Sequence, residues 1–569
     1  MRRIMHDIWA VLKPVGEVLI AVVILAVLIV VSALKGGAPG VKSNLTGFVI
    51  AATSSATTGP LPGDQAVIPG EVSCIRSYAA NPANNYVGYL PAIGAPEHTD
   101  NTKSGAYPCA TFTGSYSGKN QVYQYRSQTT YSLINFVNFA GPNAGYLQGG
   151  APTQSGSNSS SQFVARFDPA TGLQLWRTYL TNVNTTGQFI AFGSQAIIKD
   201  GTMVTAAGHT FWKLDPKTGA ILASQAQPII GSPATDANLD GIIVAPDKQG
   251  TLLSKTQNRP VGCPTQGNFA IGSCVSKYGN PPNTTVVAAD PKTLKNLAAI
   301  EVNQQVQARG NVTEHNGKIY MYMNGTKSLL RVIWNPRTQT LTQDKSWEPN
   351  VLFGGLTGGA APAIMGNWII ADSNANPSKT TPQCIFAVSQ DNPKDVHTIC
   401  PWGKKFPVAS GATSSEAPAL PGIDAANNLI YVQDYELKGI YALRLNQQTG
   451  DMKVAWSRPD VWSGDYFSMV GPANQRVLIS QNLNPSTTTA QVANNFSYTE
   501  SLVWMNAATG KTIAQSAFNP STAIGSLINV GYGGRVYTMG NAGTLFIYQV
   551  APCSSTAKTP AVPQSTTHC

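Results

Sequence analysis

Phe167-Asp168-Pro169-Ala170-Thr171-Gly172, followed by Leu173 and Trp176, is the stretch on which the reading of this chain turns. The same sentence recurs as Leu214-Asp215-Pro216-Lys217-Thr218-Gly219 ahead of Ala220, Ile221 and Leu222. Weaker copies begin at Asp290, Asn335, Asn446 and Asn506, the last two running to Gly450 and Gly510. An Asp or Asn side chain can bond the backbone two residues on, Pro presets φ for the next position, and Gly supplies the left-handed residue that returns the chain. Each copy therefore predicts a tight turn between two antiparallel strands. The strands before the turns alternate, as Val503-Trp504-Met505, or are apolar throughout, as Val286-Val287-Ala288-Ala289, which suits sheets packed between neighbours.

Spacing converts the turns into an architecture. Asp168 and Asp215 are 47 residues apart and Asp290 and Asn335 are 45 apart, the period of a four-stranded propeller blade. The gap of 75 before Asp290 fits one blade with an insertion, and the gap of 111 after Asn335 fits a degenerate copy near Phe386 to Lys394. With 53 Gly, 38 Pro and only 12% charged residues in 569, and no long 3.6-residue periodicity beyond residue 35, the expectation is an all-β, seven- or eight-bladed β-propeller with one N-terminal transmembrane helix. Blades are expected over 131–550. The last strand pair, Gly534 to Met539 and Thr544 to Val550, lacks a turn and a returning strand, so a segment from the N-terminal side is its natural partner.

The net charge of +10 is spread over single Lys and Arg residues without interleaved aromatics, which gives nucleic-acid binding no support. Val18 to Leu34 is an unbroken apolar run preceded by Arg2, Arg3 and Lys13. It predicts a membrane anchor over residues 1–35, with a cytoplasmic N-terminus and a periplasmic or extracellular bulk. The alternative is a cleaved signal peptide at Val31-Ser32-Ala33. Residues 36–70, rich in Gly, Ser, Thr and Ala, predict a flexible spacer; 71–130 an N-terminal β segment or ring-closing strand; and 551–569 a polar tail. All eight cysteines follow the apolar run: Cys74, Cys109, Cys263, Cys274, Cys384, Cys400, Cys553 and Cys569. An even number confined to the exported part predicts disulfides, and the short gaps favour pairing in order along the chain.

The blade pattern, a strand ending in Asp or Asn, a Thr-Gly turn and then Trp, resembles the pyrroloquinoline-quinone-like (quinoprotein-type) propeller repeat over about residues 131 to 550. The resemblance implies that Trp176 and Trp456 dock one blade on the next. The family holds both quinone (PQQ)-dependent dehydrogenases and non-catalytic scaffolds. Its enzymes sandwich the quinone between a Trp and a disulfide of adjacent cysteines, with Ca²⁺ beside it and an Asp as base. This chain has no adjacent Cys-Cys pair, so the resemblance is closer to the non-catalytic members.

One segment has the spacing of a calcium loop. Asp236-Ala237-Asn238-Leu239-Asp240-Gly241, with Asp247 six residues after the Gly, places oxygen ligands at alternate positions before a bend. Asp236, Asn238, Asp240 and Asp247 are thus candidate Ca²⁺ ligands, against the plainer reading of an Asp-Gly turn between strands. The six histidines show no metal spacing, and no Gly-x-Ser-x-Gly elbow is present. The expectation is a membrane-anchored extracytoplasmic propeller acting as a protein-binding or assembly scaffold, with service as an accessory subunit of a membrane complex as one form of it; the alternative is a PQQ-dependent oxidoreductase of alcohols or sugars.

Overall fold

The computed structural model describes residues 49–51, 68, 70–131, 134–150, 162–180, 194–263, 277–306, 309–349, 351, 361–373, 383–403, 420–434, 437–463, 466–488, 498–520, 528–540, 543–553 and 565–566. The segment 18–34, expected to cross a membrane, lies outside them. Among the described residues no helix is long and apolar enough to do so.

Every one of the six turns forms as its residues dictate. Asp168 Oδ1 accepts from the backbone N–H of Ala170 at 2.7 Å and of Thr171 at 3.0 Å, while Gly172 N–H donates to the Asp168 carbonyl at 2.8 Å. Asp215, Asp290, Asn335, Asn446 and Asn506 accept in the same way from the residue two positions on. Gly172, Gly219, Gly450 and Gly510 have φ between 66° and 80°, the left-handed region where a Cβ is penalised. Each turn joins the third and fourth strands of an antiparallel sheet. The degenerate seventh copy is the hairpin between Ile385–Ser389 and Val396–Ile399, built on Asp391, Asn392 and Pro393.

Eight such sheets follow one another, making an eight-bladed β-propeller. Seven are continuous in sequence, over 134–179, 195–226, 237–301, 311–343, 363–399, 422–458 and 468–515. The eighth contains Asn529–Val530, Arg535–Gly540 and Thr544–Pro552, and takes its outer strand from Asn120–Thr130, antiparallel to Thr544–Pro552. Ring closure thus joins the two ends of the propeller by main-chain hydrogen bonds. Two short strands add to outer edges: Val49–Ala51 on Gln174–Tyr179 of blade 1, and Ser565–Thr566 on Tyr123 and Gln124 of the closing strand.

Burial follows strand position. First, second and third strands are largely buried, whereas fourth strands such as Ile221–Ala226 and Met452–Arg458 are half-exposed. One large apolar cluster runs from the axial segment through most of the ring, and smaller ones lie between blades: Ile243, Val286, Val312, Met321 and Trp334 join blades 3 and 4, and Tyr431, Met469, Leu478 and Val503 join blades 6 and 7. The tryptophans marked as docking residues do this work. Trp176 of blade 1 lies against Gly219 of blade 2, and Trp456 of blade 6 lies against Gly510 of blade 7 while its Nε1–H donates to the Ala507 carbonyl at 3.0 Å. Trp368 of blade 5 repeats the contact on Gly450, from a different strand and with Nε1–H on the Gln447 carbonyl at 2.9 Å.

Disulfides Cys74–Cys109 and Cys384–Cys400 form as expected. Cys263 and Cys553 are also disulfide-bonded, and Cys274 and Cys569 lie outside the described residues.

Gly510→Ala places a methyl 2.7 Å from Trp456 at a φ of +72°, whereas Gly201→Ala meets nothing within 4 Å at a φ of +82°. Denaturant unfolding is expected to show Gly510→Ala destabilised by ~2–4 kcal/mol and Gly201→Ala by only ~1 kcal/mol, backbone strain being common to both and overpacking confined to the first. Equal losses would remove the interblade docking role from the turn glycine.

Candidate functional site

A propeller's innermost strands each carry one edge that faces the axis, and their N–H and C=O groups must be satisfied there by water, ligand or protein. Here the chain itself supplies partners. Helix Glu71–Ala80 is joined by the Cys74–Cys109 disulfide to the residues just ahead of the closing strand, and the loop so closed runs through the channel. Leu90 N–H donates to Ile197 of blade 2 at 3.0 Å, and Ile197 N–H donates in turn to Ala95. Phe139 of blade 1 donates to Gly94, Val312 of blade 4 to Asn101, Ile423 of blade 6 to Ser104 and Met469 of blade 7 to Gly105. Asn101 Nδ2 donates to the Val244 carbonyl of blade 3, and the Tyr532 hydroxyl beside blade 8 accepts from Ile93. Ala106–Tyr107 then pairs parallel to Ser468–Val470 as an extra inner strand of blade 7. Residues 92–104 are consequently buried throughout. The helix is seated by Glu71, whose carboxylate accepts from Thr111 and Gly533 N–H at 3.0 Å each. Burial pushes that carboxyl upward, with the two backbone donors opposing it.

A knot of charge holds this axial segment in place. The Glu97 carboxylate meets Arg309 Nε at 2.6 Å, Lys103 Nζ at 3.8 Å and His98 Nε2 at 3.3 Å, and accepts from Ser194 Oγ at 2.7 Å. Arg309 also reaches Asp240 at 3.3 Å, and Asp240 pairs with Lys255 at 3.0 Å. Burial alone would raise the Glu97 carboxyl, but Arg309, Lys103 and His98 together hold it well below the usual range. Burial drives His98 down to about 4, outweighing the pull of Glu97 in the opposite sense, and depresses Lys103 and Lys255 as well. His98, Thr99 and Lys103 have φ of 54°, 79° and 57°; a β-branched residue in that region is strained, and the surrounding pairings compensate for it.

Beside the axial segment lies a cavity of about 1000 Å³, within the upper range of small-molecule sites. Asp100, Thr102 and Ser104 of the segment form one wall. The turns between first and second strands of blades 3 to 7 form the others, through Asp247, Lys248, Glu314, Gly366, Asp424 and Arg476, and Tyr78 and Asn84 face it from the helix and the turn after it. Asp100 is committed within its own loop, accepting from Thr102 N–H and Oγ1 at 2.8 and 2.7 Å and from Ser104 Oγ at 2.5 Å. Burial raises its carboxyl against those bonds.

The four candidate calcium ligands go to four different places. Ala237–Val244 is a continuous strand, so Asn238 and Asp240 stand on one face about 7 Å apart along it. Asp236 pairs with Arg259, Asn238 Nδ2 donates to the Leu239 carbonyl, Asp240 joins the knot, and Asp247 accepts from Thr251 and from Trp334 Nε1 at 2.8 Å. Among the described residues no group of three His, Cys, Asp or Glu converges as a metal cage. Sequence reasoning missed Glu97, His98, Lys103 and Arg309, because nothing local marks residues whose partners lie on other blades. It also missed Asp372, a buried second-strand residue of blade 5 whose carboxyl burial pushes well above its ordinary range, with Asp434 of blade 6 adding repulsion.

A quinohemoprotein alcohol dehydrogenase from Comamonas testosteroni superposes with a TM-score of 0.50 at 12% identity, over 86% of this chain and 84% of that one. BamB from Moraxella catarrhalis gives 0.40 at 12% identity, over 75% and 99%, and a quinohemoprotein alcohol dehydrogenase from Pseudomonas putida gives 0.48 at 9%, over 87% and 84%. At such identities the likeness is one of fold. No protein-family model and no curated protein matches the chain.

The knot makes stability pH-dependent with a definite sign. His98 takes up its proton near 6.5 when unfolded but only near 4 when folded, so between those values the unfolded state binds more protons and stability falls as pH falls. Depressed Glu97 extends the loss in the same direction below its ordinary value. Facing these groups are Lys103, Arg309 and the ring of Tyr466, 4.5 Å from the imidazole. Unfolding free energy is expected to drop by ~2 kcal/mol from pH 7 to pH 4.5 through His98 alone. In His98→Gln the decline should be shallower by that amount; an unchanged slope would place the acid sensitivity elsewhere.

Proposed function

We propose that this chain is an extracytoplasmic propeller scaffold, anchored in the membrane through residues 18–34, that presents its loops to protein partners. The observation that carries the reading is the axial segment. Residues 92–104 occupy the propeller axis and satisfy the inner strands from blade to blade, which leaves a rigid ring whose accessible features are its turn-bearing faces, the usual location of binding residues on such frames. The disulfides suit an oxidising compartment. Service as an accessory subunit of a membrane complex is the version of this reading in which the apolar segment also packs against other spans.

The quinone-dependent reading meets two obstacles. The axis is filled by protein, and the adjoining cavity is walled by four carboxylates, Asp100, Asp247, Glu314 and Asp424, against two cations, Lys248 and Arg476. A polycarboxylate quinone would be repelled there. Calcium at Asp236, Asn238, Asp240 and Asp247 would require those residues to leave Arg259, Lys255, Arg309, Thr251 and Trp334, and it forms no part of the proposal.

Titration of the full chain in detergent with pyrroloquinoline quinone and Ca²⁺ is expected to give no saturable absorbance change and no oxidation of alcohols or aldoses with an artificial electron acceptor. Photo-crosslinkers at exposed turn positions such as Lys248 and Asn316 are expected to capture the same discrete protein partner in intact membranes. Stoichiometric quinone uptake with turnover would replace the scaffold by an oxidoreductase.

A further inference from the structure

Every blade has two ends, and the exposed apolar side chains are not shared evenly between them. One end carries the turns between first and second and between third and fourth strands, and it holds the cavity with Asp247, Lys248, Glu314 and Arg476. The other carries the links from second to third strand and from each blade to the next. Among the described residues eight large apolar side chains are exposed, and four of them stand at the linking end: Ile230, Val261, Tyr278 and Phe518, from 36% to 52% exposed. Ile230 N–H donates to the Thr285 hydroxyl, which donates back to the Ile230 carbonyl, at 3.0 Å each, where the third strand of blade 3 begins. Val261 follows the second strand of the same blade, with the Tyr278 ring against Gly262 next to it. Phe518 precedes Asn519, which pairs with Glu500 near the start of the third strand of blade 7. Of the other four, Tyr116 lies at the turn end beside Gly471, and Leu175, Leu222 and Val454 lie along outer strands.

The strand Val49–Ala51 fixes the end at which the chain from the apolar run arrives. Val49 pairs with Thr178, Ile50 with Arg177 and Ala51 with Trp176. Within blade 1 Tyr179 lies opposite Phe163, at the linking end, and Gln174 lies opposite Phe167, just after the turn. The chain therefore reaches the ring at the linking end and runs toward the turns. Fourteen residues separate Leu34 from Val49, and a stretch of that length reaches at most about 50 Å. Single exposed apolar residues are ordinary on a protein surface. Side chains gathered at the end to which an anchor leads are placed to enter the bilayer interface, where apolar groups and Tyr leave bulk water while Lys stays among the headgroups. Lys277, its Nζ 5.1 Å from the centre of the Tyr278 ring, completes that pairing.

We propose that the propeller rests on the lipid surface by its linking end, with Ile230, Val261, Tyr278 and Phe518 entering the bilayer interface. The turn end, with the cavity and the residues around it, then faces away from the membrane and is the end open to protein partners. The proposal rests on the membrane-anchored reading given above.

The test uses the full chain reconstituted in protein-free vesicles of phosphatidylcholine and phosphatidylglycerol, with a fluorophore attached by click chemistry at Asn283 of the linking end or at Lys248 of the turn end. Quenching by lipid carrying a nitroxide on its headgroup is expected to be about twofold or more stronger at Asn283 than at Lys248. In the double variant Val261→Ser, Phe518→Ser it is expected to fall to the Lys248 level while flotation with the vesicles is unchanged. Both side chains are exposed, so the variant keeps the fold, which circular dichroism checks. Equal quenching at the two positions, stronger quenching at Lys248, or undiminished quenching in the double variant would overturn the orientation and leave the anchor standing. Shielding of Asn283 in native membranes but not in the vesicles would give this end to a protein partner and overturn it equally. A chain that no longer floats with vesicles after an alkaline wash removes the anchor, and the orientation with it.

Discussion

The rest of the structure depends on one strand pairing, that of Asn120–Thr130 with Thr544–Pro552. A ring of sheets has no stable end unless its last blade is completed from elsewhere in the chain, because an unpaired edge and an unpacked face would remain. Completing it from the N-terminal side fixes where the preceding residues start. The disulfide at Cys109 and the seat of Glu71 against Gly533 then hold the helix Glu71–Ala80 close to blade 8, and the chain between them is directed across the axis. Closure and the filled channel are two consequences of the same topology.

Filling an axis with polypeptide creates an electrostatic problem that the structure resolves locally. Residues 92–104 bring Glu97, His98, Asp100 and Lys103 out of water, and the desolvation of such groups is offset only by close partners. Arg309 and Asp240 are placed at the inner ends of blades 4 and 3 to provide them, and Ser104 and Thr102 satisfy Asp100 from its own loop. Buried pairs of this kind are weak contributors to net stability, but removal of one partner leaves a stranded charge at a cost of about 3–5 kcal/mol.

The turns were legible because their chemistry is local. An Asp or Asn side chain two residues from its backbone donor, and a Gly at positive φ, form the same hairpin wherever they occur, so the positions of Asp168, Asp215, Asp290, Asn335, Asn446 and Asn506 mark the outer hairpins of six blades. Blade 5 was harder to read since Ser389 Oγ takes over the capping of its turn. The segment Asp236 to Gly241 shows the limit of motif reading. Its alternation of oxygens is also the alternation of one face of a strand, and the pairing of Ala237–Val244 with Leu252–Asn258 sets Lys255 against Asp240.

What the sequence determined by itself is therefore the repeat: strand, turn, strand, the need for seven or eight sheets' worth of such units, and the want of a closing strand at the C-terminal end. Only the tertiary structure decided what fills the ring. Residues 92–105 carry no periodicity and no turn signature that would place them, because their partners lie on seven different blades, between tens and hundreds of residues away. Hydrogen bonds and ion pairs at such separations exist only after the ring has closed.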